Sequence, residues 1–145
     1  MASRRKARIL AFQALYSWDA QRGLKTRSPG TGLTDELLDF SWAESKSVNS
    51  DETKAFSRLL VAGTVENIDV IDKKIQEHLR NWEITRLNRV DLAVLRMSVY
   101  TLMFQSEMPA SIVIDEAIGI SKEFGSDDSY RFVNGVLDNV RKTLG

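Results

Sequence analysis

The sequence contains no cysteine, which excludes disulfides, thiolate metal sites and a thiol nucleophile and fits a reducing compartment. Its single histidine, His78, cannot by itself anchor a zinc site or a proton relay and reads as an ordinary helix-end residue. Two prolines and eight glycines in 145 residues leave little punctuation for a many-turned β fold, and strand-type alternation is absent. No stretch reaches the roughly 18 uncharged apolar residues of a membrane span. Neither Gly30-Thr31-Gly32 nor Gly63-Thr64 leads into the lysine of a phosphate loop. The neighbouring carboxylates Asp115 with Glu116, and Asp127 with Asp128, do not face each other on a helix and make poor acid/base pairs. No catalytic residue, metal ligand or cofactor is therefore expected.

Charge of one sign is missing overall but not locally. Lys+Arg and Asp+Glu both total 20. Residues 1–27 nevertheless hold seven cations (Arg4, Arg5, Lys6, Arg8, Arg22, Lys25, Arg27) against Asp19, a local charge of +6 that leaves the remainder at −6. A basic end on an acidic body is the pattern of an arm that meets a polyanion. The apolar stretch after the arm imitates a secretory signal, but Gln13, Ser17 and Asp19 interrupt it and no small-residue cleavage site follows, so it reads as a retained helix.

Helical periodicity runs through the chain. A first helix is expected from Arg4 to Gln21, capped by Gly23, and a loop follows over 23–32. Thr34 can cap a short acidic helix to Glu44, and 45–50 is a connector. A long helix is expected from Asp51 to about Arg80, with Phe56, Leu59, Leu60, Gly63, Ile68, Ile71, Ile75 and Leu79 as its stripe. The segment Leu87 to Phe104 is apolar on nearly every side and should form the buried centre. Pro109 starts a helix over Ala110 to Phe124 that stops at Gly125, and Ser126 caps a last helix with Val133, Val136, Leu137, Val140 and Leu144 as its core stripe. The expectation is an all-α domain of about six to seven helices spanning residues 1–145.

Two features suggest chemistry. Arg4, Arg5, Lys6 and Arg8 stand at a helix N-terminus, the wrong end for cations, where each costs roughly 0.3 to 1 kcal/mol. They are either a frayed, solvated end or a set of phosphate contacts for nucleic acid. Phe132 lies roughly 95° from the centre of the last helix's stripe. Beside Arg131 it is either a stacking platform for an unpaired base or a seam residue against another helix.

The blocks RRKARILAFQALYSW (Arg4 to Trp18), LLVAGTVEN (Leu59 to Asn67), RVDLAVLRMSVYTL (Arg89 to Leu102), IDEAIGISKEFG (Ile114 to Gly125) and DDSYRFVNGVLD (Asp127 to Asp138) together resemble the NusB family of bacterial transcription antitermination factors, in that family's order and over nearly the whole chain. The resemblance implies two packed three-helix bundles and no catalytic activity. It also implies binding to single-stranded boxA RNA together with the ribosomal protein NusE, in an antitermination complex on RNA polymerase that supports ribosomal RNA transcription in the cytoplasm. It matches Arg4, Arg5, Lys6 and Arg8 to the family's arginine-rich RNA-binding motif, and Asp128, Arg131 and Phe132 to the helix start beside the same RNA site. Tyr16 and Asp91 match positions at or near the NusE-facing surface. The resemblance admits either a monomer or a homodimer. Thr85, Arg86, Asn88 and Arg89 are more basic than an acidic NusE-facing edge requires.

Two other readings compete with this one. The NusB-like domain of a ribosomal RNA methyltransferase would need a further cofactor domain with a glycine-rich fingerprint, and these residues contain none. A helical protein-interaction module without RNA binding would show no shift of boxA RNA with or without NusE.

Overall fold

The computed structural model describes residues 4–24, 35–40, 42, 51–80 and 82–144. Of the loop expected over 23–32, residues 25–32 lie outside the described residues, as do the Thr34 cap and the connector over 45–50. The chain forms two compact units, 1–66 and 67–145. Among the described residues the regular structure is helical throughout, with seven α-helices and one 3-10 turn, as the all-α expectation holds.

The first unit contains α1 (Arg4–Leu24), α2 (Asp35–Leu38) and α3 (Asp51–Glu66). Helix α1 runs through Gly23 instead of being capped by it, because one glycine costs a helix only about 1 kcal/mol. Leu10, Ala11, Ala14, Leu15 and Trp18 are its buried side. Helix α2 stops well before Glu44, because Phe40 takes a left-handed backbone with φ 58° that no α-helix can continue. Its ring is fully buried, and such burial, at about 1.5 to 3 kcal/mol, offsets a backbone strain of about 1 to 3 kcal/mol. Arg58 Nε donates to the Leu38 carbonyl at 2.9 Å and ties α2 to α3.

The buried side of α3 is more polar than its expected stripe. Thr53, Ser57, Leu60, Val61, Thr64 and Val65 are buried, whereas Leu59 is exposed. Two of the buried hydroxyls donate to backbone carbonyls: Thr64 Oγ1 to that of Leu60 within α3 at 2.6 Å, and Ser57 Oγ to that of Ala7 in α1 at 2.8 Å. A short hydroxyl side chain can therefore face α1 without the usual cost of burying a polar group.

The second unit contains α4 (Ile68–Glu77), the 3-10 turn Ile84–Arg86, α5 (Arg89–Phe104), α6 (Ala110–Phe124) and α7 (Ser129–Thr143). The expected continuous helix to Arg80 is interrupted at Asn67, whose φ −112° and ψ 22° leave the helical region; its carbonyl accepts from Ile71 N at 3.0 Å and begins α4. The spacing of Leu60, Ile68, Ile71 and Ile75 hides this break from a periodicity reading. His78 ends α4 as expected, its Nδ1 2.9 Å from the Lys74 carbonyl.

Helix α5 is buried from Asp91 through Thr101, and α4, α6 and α7 all pack against it, as its all-round apolarity demands. Asn88 sets its start: Asn88 Oδ1 accepts from Asp91 N at 2.8 Å while Asn88 Nδ2 donates to Asp91 Oδ2 at 3.1 Å. Replacing Asn88 by alanine removes both bonds and is expected to lower stability by about 1 kcal/mol in chemical denaturation, whereas Asn88→Ser should retain much of the cap.

Candidate nucleic-acid interface

In the first unit the cations of α1 divide into two groups. Arg4 and Lys6 are exposed and Arg5 is partly exposed, and no acidic residue stands in the first turn of α1 to offset them. Arg8, expected among the phosphate contacts, is only 5% exposed. Its guanidinium lies 5.6 Å from the centroid of the Phe56 ring, and that of Arg4 lies 4.2 Å from the same ring. One aromatic of α3 thus receives two arginines one helical turn apart, which orders Arg4 and withdraws Arg8 from solvent. The sequence carried a signal for this burial, since Arg8 precedes Phe12 and Leu15 by four and seven residues and so shares their face. Tyr16, on the same helix, is 40% exposed.

In the second unit a tight corner joins α6 to α7. Gly125 N donates to the Ser121 carbonyl at 2.9 Å, and Ser126 N donates to Ser129 Oγ at 3.0 Å. The expected cap is corrected here: the N-cap position of α7 is Asp128, while Ser126 and the buried Ser129 pair with each other at the corner, their hydroxyls 3.1 Å apart. Asp128 occupies the N-cap position with a helical backbone and makes no side-chain cap bond, so Asp127 and Asp128 precede the first turn of α7. The Asp128 side chain is left at the exposed surface.

Arg131 and Phe132 follow within the first turn of α7, Arg131 exposed and Phe132 half-buried beside the fully buried Val133. Arg131 Nε donates to Tyr130 Oη at 3.0 Å. That bond, together with the charge of Asp128, holds the Arg131 guanidinium even more firmly in its charged form. Tyr130 was not singled out by the sequence, and neither was Lys122, whose Nζ lies 4.9 Å from the Tyr130 ring centroid. The two are eight residues apart across a corner, a spacing without any local signature.

Asp91, expected at a partner-facing surface, is 6% exposed and engaged in the α5 cap. Its Oδ1 is buried without a hydrogen-bond partner. An orphaned acceptor of this kind costs about 1 to 3 kcal/mol. The spacing Asn88-x-x-Asp91 is a capping signature that could have been read from the sequence. Among the described residues no cluster of His, Cys, Asp and Glu could hold a metal ion, and no helix is long and apolar enough to cross a membrane.

Residues 5–142 match the model of the NusB family. The chain is 51% identical to the transcription antitermination protein NusB of Treponema denticola over 138 residues, covering 95% of each chain. It is 40% identical to the protein of that description in Bacillus thuringiensis over 141 residues, covering 97% of this chain and 98% of the relative. Among solved structures it resembles NusB of T. maritima, with a TM-score of 0.79 and 31% identity over 98% of this chain and 93% of that one. It also resembles a chain in a crystal structure of the antitermination factors NusB and NusE with double-stranded RNA, with a TM-score of 0.75 and 29% identity over 97% and 96% of the two chains.

Proposed function

Because the chain belongs to the NusB family, we propose that it is a non-enzymatic transcription antitermination factor that binds single-stranded boxA RNA together with NusE, within a cytoplasmic complex on RNA polymerase. The observation that carries the reading is the first turn of α1, where exposed cations accumulate at the end of a helix whose dipole disfavours them. Local stability does not account for such a turn, whereas a polyanion does. Arg4, Arg5 and Lys6 supply attraction to phosphates without regard to sequence, and Arg8, held against Phe56, keeps the turn ordered. On α7, Phe132 offers a surface on which an unpaired base stacks, flanked by Arg131 for phosphate contacts and by the non-capping Asp128 carboxylate, which can accept from a base edge.

For NusE, Tyr16 offers an exposed phenol. Asp91, buried in the α5 cap, would serve a surface for this basic ribosomal protein by fixing the start of α5 and not by direct contact. Electrostatics make such a partner useful. Three neutralised phosphates give a log-log salt slope of about −2 on single-stranded RNA, so a fourfold rise in salt weakens the arm's contribution about twentyfold.

The test is a titration of labelled boxA RNA with the Arg4→Ala, Arg5→Ala, Lys6→Ala triple variant. Losing three phosphate contacts should make the slope shallower by about 2, so the wild type's advantage shrinks about twentyfold when salt rises fourfold. An unchanged slope removes the arm from the mechanism. No mobility shift of boxA RNA at low salt, with or without NusE, leaves the helical protein-interaction reading in its place.

A further inference from the structure

We infer that Lys122, Tyr130 and Arg131 form a pre-set cradle for an RNA backbone phosphate, with Tyr130 acting as a positioning residue for Arg131. The inference rests on the RNA-binding reading above and extends it to two residues outside the arginine arm and the Phe132 platform. The last turn of α6 carries Lys122, the first turn of α7 carries Tyr130 and Arg131, and the Gly125 corner brings them to one ring. Lys122 Nζ lies 4.9 Å and Arg131 Cζ 5.5 Å from the Tyr130 centroid. Two cations that share one ring repel each other, and a phosphate that meets both gains attraction from each.

The hydroxyl of Tyr130 engages Arg131 through Nε only, at 3.0 Å. The fork of terminal guanidinium nitrogens, which suits two oxygens of one phosphate, is thereby oriented before any ligand arrives. Orientation in advance removes part of the ordering cost of binding a long side chain. With both cations held against the ring, the cluster presents positive charge and not a bare aromatic face, so its ligand is the phosphodiester and not the base. Phe132, the next residue along, remains the surface for the base.

Fluorescence anisotropy with labelled single-stranded boxA RNA across a salt series tests this in the full chain. Lys122→Ala should make the log-log slope shallower by about 0.7, the share of one phosphate. Lys122→Gln, which keeps the stem of the side chain, should do the same. Tyr130→Phe keeps the ring, so it should leave the slope unchanged and weaken binding about threefold; in an Arg131→Ala background it should have no further effect. A slope unmoved by both Lys122 variants, or a Tyr130→Phe loss that persists without Arg131, overturns the cradle. If those results appear while the α1 triple variant still loses its slope, the RNA-binding reading stands and only the cradle falls. If the wild type binds no RNA, both fall.

Discussion

Gly125→Ala is expected to destabilise the second unit by about 2 to 3 kcal/mol, in the upper part of the range for inserting a methyl group where no space exists. A β-carbon at this position would stand 2.6 Å from Ser129 Oγ, 2.7 Å from Ser129 Cβ and 2.7 Å from the Ser121 carbonyl oxygen. The hydroxyl could rotate away, but the carbonyl belongs to the last turns of α6 and already accepts from Gly125 N. Something in the backbone of the corner must therefore move. The expected shift is read from the midpoint of chemical denaturation. Gly135, in the middle of α7, is the contrasting case. It is exposed and a β-carbon there meets nothing within 4 Å. Gly135→Ala should raise stability by about 0.5 to 1 kcal/mol through helix propensity alone. Equal effects at the two glycines would show that the corner is not tightly packed.

The second large effect is expected at Asp72. Both its oxygens accept from Arg96, Oδ1 from Nε and Oδ2 from Nη2, each at 2.9 Å, across 24 residues of sequence between α4 and α5. The Arg96 side chain is 8% exposed and that of Asp72 is 27% exposed. Asp72→Ala takes the bidentate partner from a guanidinium that water scarcely reaches. Breaking a fully buried pair costs about 3 to 5 kcal/mol, and the partial exposure of Asp72 reduces the expected loss here to about 2 to 3 kcal/mol. The double variant Asp72→Leu, Arg96→Met leaves no buried charge and should recover most of that loss. Thermal and urea unfolding of the single and double variants measure both values, and a double variant no more stable than Asp72→Ala would show that the pair contributes more than mutual neutralisation.

How legible each element was depended on how local its cause is. Helices α5, α6 and α7 were readable almost to their ends, because apolar spacing, Pro109 and Gly125 act on neighbouring residues. The end of α3 was not, since Asn67 departs from the helix in a stretch whose apolar spacing continues undisturbed. Phe40 ends α2 through a left-handed backbone coupled to burial of its own ring, and burial depends on surfaces brought to it by the fold.

The candidate site divides in the same way. The sequence by itself determined the all-helical class, the basic first turn, the boundary position of Phe132 and the family, because all of these reside in composition, in periodicity or in ordered strings of residues. Only the tertiary structure decided that Arg8 turns inward onto Phe56, that Ser129 serves the corner, and that Lys122 and Tyr130 join Arg131. Whether a charged side chain is solvated, buried or shared depends on what a neighbouring helix brings within about 4 to 6 Å of it, and helices that meet in space lie far apart along the chain.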